Sequence, residues 1–277
     1  MKAATTRGRI VGVIAILVSI VVFIVPFIFI FLTASKSTQE ANLLAFSWPT
    51  EWHLWENIVT VLTDRNGVVV RAFINSTLIT VISVTLMVIF SAMVGYVLQR
   101  KKSRINGVIN FFVMAGLIIP PAVVPTIWAL QQIGLFKTIP GMILIQTTFG
   151  LSFCVLLFRA FVSTIPRELD EAAIIDGAGP IRLFFQVVLP LLKPVIVTVV
   201  VVQAVAVFNE FQNALYFLPG SDTPTVQLTL YNFSAQGLSQ YNLLFADILL
   251  ITIPPLVMFI FFNRQIVAGM TSGAIKG

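Results

Sequence analysis

The stretch ELDEAAIIDGAG, Glu168 to Gly179, decides how the rest of the chain is understood. In a chain that is otherwise strongly apolar, it carries four carboxylates: Glu168, Asp170, Glu171 and Asp176. Acidic side chains favour the first turn of a helix, and Gly177 and Gly179 followed by Pro180 are typical of a helix end. The stretch therefore predicts a helix of about two to three turns that is charged at its start.

One side of this predicted helix is built from small residues. Leu169, Ala172, Ala173 and Asp176 share a face by their three- and four-residue spacing. A helix this short is marginal alone, so it needs a surface to pack on. The alanines would let another backbone approach closely, which favours a docking surface; the alternative is a solvated loop helix without a partner. A second apolar segment, IRLFFQVVLP, follows and is predicted to stop at Pro190.

The composition places most of the remaining chain in lipid. Of its 277 residues 58% are hydrophobic and only 10% are charged, against about 25% charged residues in a soluble domain. In water, a domain of that composition would expose a largely apolar surface. The net charge of +6 does not indicate nucleic-acid binding, because the basic residues lie at the ends of apolar runs.

Apolar runs long enough to cross a bilayer, about 20 residues each, occur six times. Several are rich in valine and isoleucine, but lipid requires internally satisfied backbones, which favours helices. The first run is longer than the apolar core of a signal peptide, and we interpret it as an uncleaved anchor. The sequence predicts an all-α polytopic membrane protein, a single domain over residues 1–277 with six transmembrane helices at 10–34, 73–98, 106–130, 139–160, 195–218 and 243–263.

Lysine and arginine predict the direction of these spans, because they concentrate on the cytoplasmic side. With a cytoplasmic amino terminus, four of the 17 basic residues fall outside: Lys36, Arg65, Arg71 and Lys137. The others fall inside: Lys2, Arg7, Arg9, Arg100, Lys101, Lys102, Arg104, Arg159, Arg167, Arg182, Lys193, Arg264 and Lys276. Both termini, and the loop 162–193 that holds the acidic helix, are therefore predicted to be cytoplasmic.

Prolines interrupt three of the predicted spans: Pro26, Pro120, Pro121, Pro125, Pro254 and Pro255. A proline inside a helix removes a hydrogen bond and bends the axis. The bent helices either line a path through the membrane or are irregularities of packing, and the sequence leaves both explanations open.

No pattern of catalytic or metal-binding residues is present. The sequence has no Gly-x-x-x-x-Gly-Lys-Ser/Thr phosphate loop, no Ser-His-Asp set and no cluster of metal ligands. Cys154 lies in an apolar run and is interpreted as a packing residue, and His53 has no companion ligands. Ion-coupled carriers use intramembrane carboxylates, for which Glu210 and Asp247 are the only candidates. We therefore expect a non-catalytic transporter subunit, without a catalytic, cofactor or metal site, that depends on a partner motor.

The segment EAAIIDGAG followed by VVLPLLKP resembles the EAA motif of permease subunits of bacterial ABC importers. The family pattern is Glu-Ala-Ala, then Asp-Gly-Ala, then a hydrophobic residue with Leu-Pro further on. The matching positions are Glu171, Ala172, Ala173, Asp176, Gly177, Ala178, Leu189, Pro190 and Pro194. The resemblance implies a coupling helix between spans four and five that docks in a groove of a separate ATPase subunit. The implied docking residues are Glu168, Glu171, Ala172, Ala173, Asp176, Gly177 and Ala178.

Three further segments extend the resemblance along the chain. NSTLITVISVTLMVIFSAMVGYVLQRKK is similar to the family's second span. FNEFQNALYFL, Phe208 to Leu218, is similar to a Trp-Asn-Glu/Asp-Phe segment of carbohydrate permeases, with Phe208 where Trp is common. GMTSGAIKG, Gly269 to Gly277, resembles the ending of the MalG-like subgroup. By these segments the chain is identified as a member of the type I ABC importer permeases, carbohydrate class, MalG-like.

That membership implies import of a sugar or oligosaccharide, with a glycerol phosphate or polyol as the alternative solute. An ion-coupled secondary transporter and a membrane scaffold are the other classes considered. The implied partners are a second permease subunit, an ATPase dimer that binds ATP and Mg, and an extracytoplasmic substrate-binding protein. The implied location is the bacterial cytoplasmic membrane.

Three more segments are candidates for contact with substrate or partners. Phe208, Asn209, Glu210 and Phe211 would line the path, although Asn209 and Glu210 could instead cap a helix end. In the tail, Gly273, Ala274, Lys276 and Gly277 are expected to contact the ATPase pair and to order only in the complex. FSWPTEWHLW, Phe46 to Trp55, is either an interfacial tryptophan belt or part of the surface that receives the binding protein, for which 219–241 is the other candidate.

Overall fold

The computed structural model describes residues 6–274, with gaps at 102, 221 and 235–239. Over this part of the chain, the regular structure is helical throughout. The elements are α1 Thr6–Ala34, α2 Thr38–Ala41, α3 Leu54–Arg100, α4 Arg104–Ile118, α5 Val123–Gln132, α6 Ile139–Val162, α7 Glu168–Ile175, α8 Pro180–Arg182, a π-helical turn Leu183–Val188, α9 Leu189–Leu191, α10 Lys193–Phe208, α11 Gln212–Phe217, α12 Val226–Ser234 and α13 Tyr241–Ala274.

Four helical segments are long and apolar enough to cross a membrane by themselves: Gly12–Ala34, Leu54–Arg100, Ile139–Val162 and Tyr241–Phe262. Two bent helix pairs raise the number to six if each pair forms one span. The prediction of an all-helical membrane protein is confirmed. The described helices allow four to six spans, so the exact number of six stays a prediction.

The first bent pair is α4 with α5, which turns by 119°. Pro120 and Pro121 lie in this break, where proline lacks an N–H and the preceding residue avoids the helical conformation. The predicted span 106–130 is therefore not one helix. By contrast, helix continues through Pro26 in α1 and through Pro254 in α13, so proline does not interrupt the helix at those positions.

The second bent pair joins the segment Pro180–Leu191 to α10 with a bend of 76°. The sequence predicts that this segment stops at Pro190, but the helical segment continues to Leu191. The π-helical turn shifts the hydrogen-bond register, since the Leu189 N–H bonds to the Phe184 carbonyl, and Pro190 lies at the start of the next helical turn. The break comes at Leu192, just before Pro194. The predicted span 195–218 is also divided, because α10 ends at Phe208 and α11 follows.

The element that contains the second predicted span, 73–98, includes an additional helical part that begins at Leu54. It is interrupted over Asp64–Gly67, where Arg65, Asn66 and Gly67 take left-handed backbone angles with φ of 47°, 58° and 71°. Asn and Gly tolerate this conformation better than other residues. Part of the connection between the first two predicted spans is thus helical.

The chain divides into two compact units, Met1–Val70 with Gln227–Ile253 and Arg71–Val226 with Pro254–Gly277. In the first unit, buried Asn57 ties three segments together. Its amide donates to the carbonyls of Ala34 and Lys36 at 2.9 Å each, and its Oδ1 accepts from Nδ2 of Asn242 at 2.8 Å. A buried amide requires such partners, so Asn57 determines how the end of α1 and the start of α13 meet α3.

In the second unit, α6 lies at the centre. Cys154, Val155, Phe158 and Val162 on this helix are fully buried, and Cys154 is a packing residue as predicted. Glycines allow neighbouring helices to approach it closely: a β-carbon at Gly116 of α4 would lie 2.5 Å from Ser152 Oγ. Small residues at helix contacts are typical of membrane proteins, where close packing stabilises helix pairs.

Candidate functional site

The acidic stretch forms the helix that the sequence predicts, α7, Glu168–Ile175. Its first turn carries Glu168, Asp170 and Glu171, which are stabilised by the positive end of the helix dipole. The helix ends where predicted: Gly177 has a φ of +82°, and the N–H groups of Gly177 and Ala178 bond back to the carbonyls of Ile174 and Ala173. This is a glycine-terminated helix end, which explains why glycine is favoured at position 177.

An ion pair joins α7 to the end of α3. Arg100 Nε lies 2.7 Å from Asp170 Oδ2, and both side chains are largely buried, with 10% and 11% exposed. The contact lacks hydrogen-bond geometry at Nε, so charge attraction holds it. Tyr96, one helical turn before Arg100, donates its hydroxyl to the same carboxylate at 3.4 Å.

Sequence reasoning missed this contact. It assigned Arg100 to the orientation of the spans and Asp170 to the helix dipole, because the two residues are far apart in the chain. The one available signal is the four-residue spacing of Tyr96 and Arg100, which places both on one face of α3.

Most of the residues predicted to dock on an ATPase are exposed on the surface of the same loop. Glu168, Glu171, Ala172, Asp176 and Gly177 are exposed. Ala173 and Ala178 are half-buried. The structure therefore leaves most of the predicted docking residues accessible, and their docking on an ATPase stays a prediction.

Exposed isoleucines accompany these residues, and sequence reasoning did not single them out. Ile175 is 84% exposed and Ile181 is 76% exposed, while Ile174 is also on the surface. Ile174 and Ile181 border a cleft of about 590 Å³ that Tyr96, Arg100 and Asp170 also line. Apolar side chains rimmed by charges mark an interaction surface when they cluster. The adjacent pair Ile174–Ile175 could have indicated this, because neighbouring helix positions point in different directions.

The predicted path residues lie at the break between α10 and α11. Asn209 Nδ2 donates to the Val205 carbonyl at 3.0 Å, and Glu210 Oε1 accepts from the Asn213 N–H at 2.9 Å. Both side chains thus satisfy helix ends, as one of the two alternatives expects. Phe208 is buried and lines a mostly apolar groove of about 440 Å³, whereas Phe211 is exposed. A role of Asn209 and Glu210 in the path stays a prediction.

The predicted tail begins inside a helix. α13 continues through Gly269 to Ala274, so the backbone at Gly273 and Ala274 is helical in the isolated chain. The expectation that the tail, Gly269 to Gly277, orders only in a complex stays a prediction. Lys276 and Gly277 lie outside the described residues.

The tryptophans of the first predicted outer loop are on the surface. Trp48, Trp52 and Trp55 are exposed, and the rings of Trp48 and Trp52 lie 6.3 Å apart. His53 sits among them with its Nδ1 2.7 Å from Glu56 Oε2, and this hydrogen bond raises the pKa of the histidine above its usual value. Exposed indoles suit either a membrane interface or a protein partner, so both alternatives remain.

Several long apolar helices define a multi-pass membrane protein, and one of its loops carries the exposed acidic helix α7. A family model, the binding-protein-dependent transport system inner membrane component, matches residues 87–272, which include α7 and its loop. The match covers more than half of the chain, and the chain belongs to this family. The recognition of an ABC importer permease from the sequence is confirmed, and the chain is a multi-pass membrane component of a binding-protein-dependent transport system.

Relatives of known substrate are similar over most of their length. The melibiose/raffinose/stachyose import permease protein MelC of Bacillus subtilis (strain 168) is 34% identical over 210 residues, 75% of this chain and 76% of MelC. The diacetylchitobiose uptake system permease protein NgcG of Streptomyces coelicolor is 33% identical over 253 residues, 90% of this chain and 83% of NgcG.

The fold is also that of a solved transporter. A chain from the crystal structure of a bacterial ABC transporter involved in the import of the acidic polysaccharide alginate matches with a TM-score of 0.81. The match covers 95% of this chain and 99% of that chain at 20% sequence identity. At that identity the likeness concerns the fold, which it confirms.

Proposed function

We propose that this chain is one of two membrane subunits of an ATP-driven importer for a sugar or oligosaccharide. The proposal is supported by the relatives MelC and NgcG, whose names give small oligosaccharides as cargo, and by a fold shared with an alginate importer. A glycerol phosphate or polyol is the alternative cargo. The chain performs no chemistry in this scheme; it forms half of the translocation path.

The observation that carries the proposal is the surface of α7. A short helix presents acidic and small residues outward, beside Ile175 and Ile181 with exposures of 84% and 76%. Exposure of the two isoleucine side chains to water is unfavourable, and docking on a protein would bury them. In the proposal α7 is the coupling helix, and its partner is an ATPase subunit that binds ATP and Mg.

The remaining partners follow from the same scheme. A second permease subunit completes the path, a dimer of ATPase subunits drives it, and an extracytoplasmic binding protein delivers the sugar. Both termini and α7 face the cytoplasm, as the distribution of basic residues favours. When ATP closes the ATPase dimer, the coupling helices approach each other and the spans open outward.

Two segments have proposed supporting roles. Phe208, with its ring buried against the groove that Thr77 and Thr80 also line, supplies apolar surface beside the path. The tail, including Gly273, Ala274, Lys276 and Gly277, extends from α13 toward the ATPase pair. Its small residues suit a narrow gap between subunits.

Uptake by a deletion strain tests the proposal. The strain and its complemented parent receive labelled disaccharides, trisaccharides, a polyol and glycerol 3-phosphate in turn. We expect complementation to restore uptake of at least one saccharide, and this uptake to require the partner ATPase. Restored uptake of the polyol or glycerol 3-phosphate alone would select the alternative cargo.

An ion-coupled carrier is distinguished by its energy source. Uptake into inside-out or right-side-out vesicles that contain no ATP but hold a proton or sodium gradient would contradict the proposal. Asp247→Asn would then abolish that uptake, because Asp247 is a fully buried carboxylate in a predicted span.

A further inference from the structure

The helix α7 is attached to the rest of its unit in an unusual way. Among its residues Glu168–Ile175, Asp170 is the one that is buried. Short amphipathic helices normally pack against the rest of a protein through apolar side chains, because these contribute most of the packing energy. Here the buried position is a carboxylate, and its partner, Arg100, is the last residue of α3.

Arg100 contacts both α7 and the connection that leads into it. Its Nε lies 2.7 Å from Asp170 Oδ2 inside the helix, and its Nη2 donates to the Ile165 carbonyl before the helix at 2.9 Å. The guanidinium group is planar and rigid, so two contacts fix the loop in one orientation. A single apolar contact would allow α7 to rotate or slide.

Tyr96 completes the arrangement from the same face of α3. Its hydroxyl lies 3.4 Å from Asp170 Oδ2, and its ring packs against buried Phe184 with 5.9 Å between ring centroids. Phe184 belongs to the π-helical turn that follows α7 in the loop. The end of α3 therefore contacts the loop at three points: before α7, at α7 itself and after α7.

Energetics favour a role beyond stability. A buried ion pair is often no more stabilising than well-packed apolar residues, because both charges lose their hydration. It becomes strongly unfavourable to separate once formed, since each charge would be left unpaired in a poorly hydrated site. Such a pair suits a connection that must transmit displacement without slipping.

We propose that Arg100 and Asp170 are positioning residues that make α7 and the end of α3 move as one piece. A displacement of α7 by its ATPase partner is then delivered directly into α3, whose helix is long enough to cross the membrane. This inference rests on the proposed function of α7 as the coupling helix. It adds the element that receives the movement and the residues that deliver it.

The test measures sugar molecules imported per ATP hydrolysed by the complete complex in proteoliposomes. Asp170→Asn and Arg100→Met each remove one charge with little change in size. We expect both complexes to hydrolyse ATP when the loaded binding protein is present, with import per ATP reduced at least about tenfold. The charge-swapped double variant Arg100→Asp with Asp170→Arg is expected to recover part of that ratio.

Lys101→Met is the matched control. Lys101 is the adjacent cation, lies on the same cleft and is exposed. Its removal is expected to leave the ratio within about twofold of wild type. A loss of stability alone would lower import and hydrolysis together and leave their ratio unchanged, so the ratio separates positioning from folding.

Arg100→Lys covers the case in which the other variants fail to assemble. It keeps the charge but loses the rigid fork that also holds Ile165, and we expect import per ATP to fall about threefold or more. Assembled variants, Arg100→Lys included, that keep the wild-type ratio would overturn the inference. If wild type itself shows no ATP-dependent import, the proposed function fails instead, so the two failures are distinguishable.

Discussion

Gly95 of α3 touches Phe158 of α6 almost backbone to backbone. A β-carbon at Gly95 would lie 2.9 Å from the Phe158 Cβ and 2.9 Å from the Arg159 backbone nitrogen. Neither atom belongs to a flexible side-chain end, so the helices would have to separate to admit even a methyl group. This contact sets the distance between the two helices near the end of α3 that holds α7.

Gly95→Ala is therefore expected to destabilise the protein by about 1–3 kcal/mol, the usual effect of overpacking a core. The measurement is the unfolding temperature of the chain in detergent. Gly107→Ala is the control, because Gly107 also lies in a helix but a β-carbon there meets nothing within 4 Å. Alanine favours helix over glycine, so this control should unfold at the same or a higher temperature. Equal unfolding temperatures for Gly95→Ala and wild type would show that α3 and α6 can separate enough to admit a methyl group without loss of stability.

Gly177→Arg is expected to uncouple ATP hydrolysis from uptake while the spans remain inserted. Gly177 is exposed with open space around it, so arginine adds bulk to the proposed docking surface rather than to a core. The matched control is Gly177→Asn, since Asn tolerates the φ of +82° at this position. It should retain most uptake, whereas a wild-type rate for Gly177→Arg would place the docking surface elsewhere.

A cysteine at Asn209 distinguishes a path residue from a helix cap. In a Cys154→Ala background, which removes the chain's single and buried native cysteine, Asn209→Cys should react with a small water-soluble thiol reagent. If the position lines the path, reactivity should differ between the resting complex and one trapped with ATP. Val202→Cys, an exposed position on apolar α10, should stay inert because lipid excludes the charged reagent. Inertness of Asn209→Cys in every state would contradict a role in the path and favour the role of Asn209 as a helix cap.

Replacing Trp48 and Trp52 with alanine decides between the two explanations of the outer loop. If these exposed indoles receive the binding protein, uptake should fall severalfold while the subunits still copurify; an interface typically loses more than about 1 kcal/mol per lost anchor residue. If they form a belt at the membrane surface, assembly itself should fall. Trp128→Ala, an exposed tryptophan on α5, is the control for general loss of aromatic surface.

His53 should titrate above the usual value for histidine. The Glu56 carboxylate accepts its hydrogen bond and favours the protonated ring, which raises the pKa above 6.5. Any stability from this contact is therefore present in full below about pH 6.5 and is lost as the pH rises through the higher folded-state pKa. Because the chain has one histidine, a proton NMR titration of untagged protein reports this group alone. Glu56→Gln should move the midpoint back down, and an unchanged midpoint would contradict the contact.

The local sequence was enough to predict an all-helical membrane protein and where α7 lies. Hydropathy depends on the residue itself, and the carboxylates at the start of α7 and the glycine at its end act within a turn of their own positions. For that reason the residue types alone were sufficient to assign Glu168 to the start of the helix and Gly177 to its end, and to recognise the family motif around Glu171.

Contacts between distant residues were decided only by the tertiary structure. Asp170 and Glu171 are neighbours of the same charge, yet one is buried against Arg100 and the other is exposed. Likewise, Pro120 and Pro121 lie in a break of the chain while helix continues through Pro254 and Pro255. A lost backbone hydrogen bond or a buried charge is tolerated only where neighbouring helices compensate for it, and that neighbourhood depends on how the helices pack.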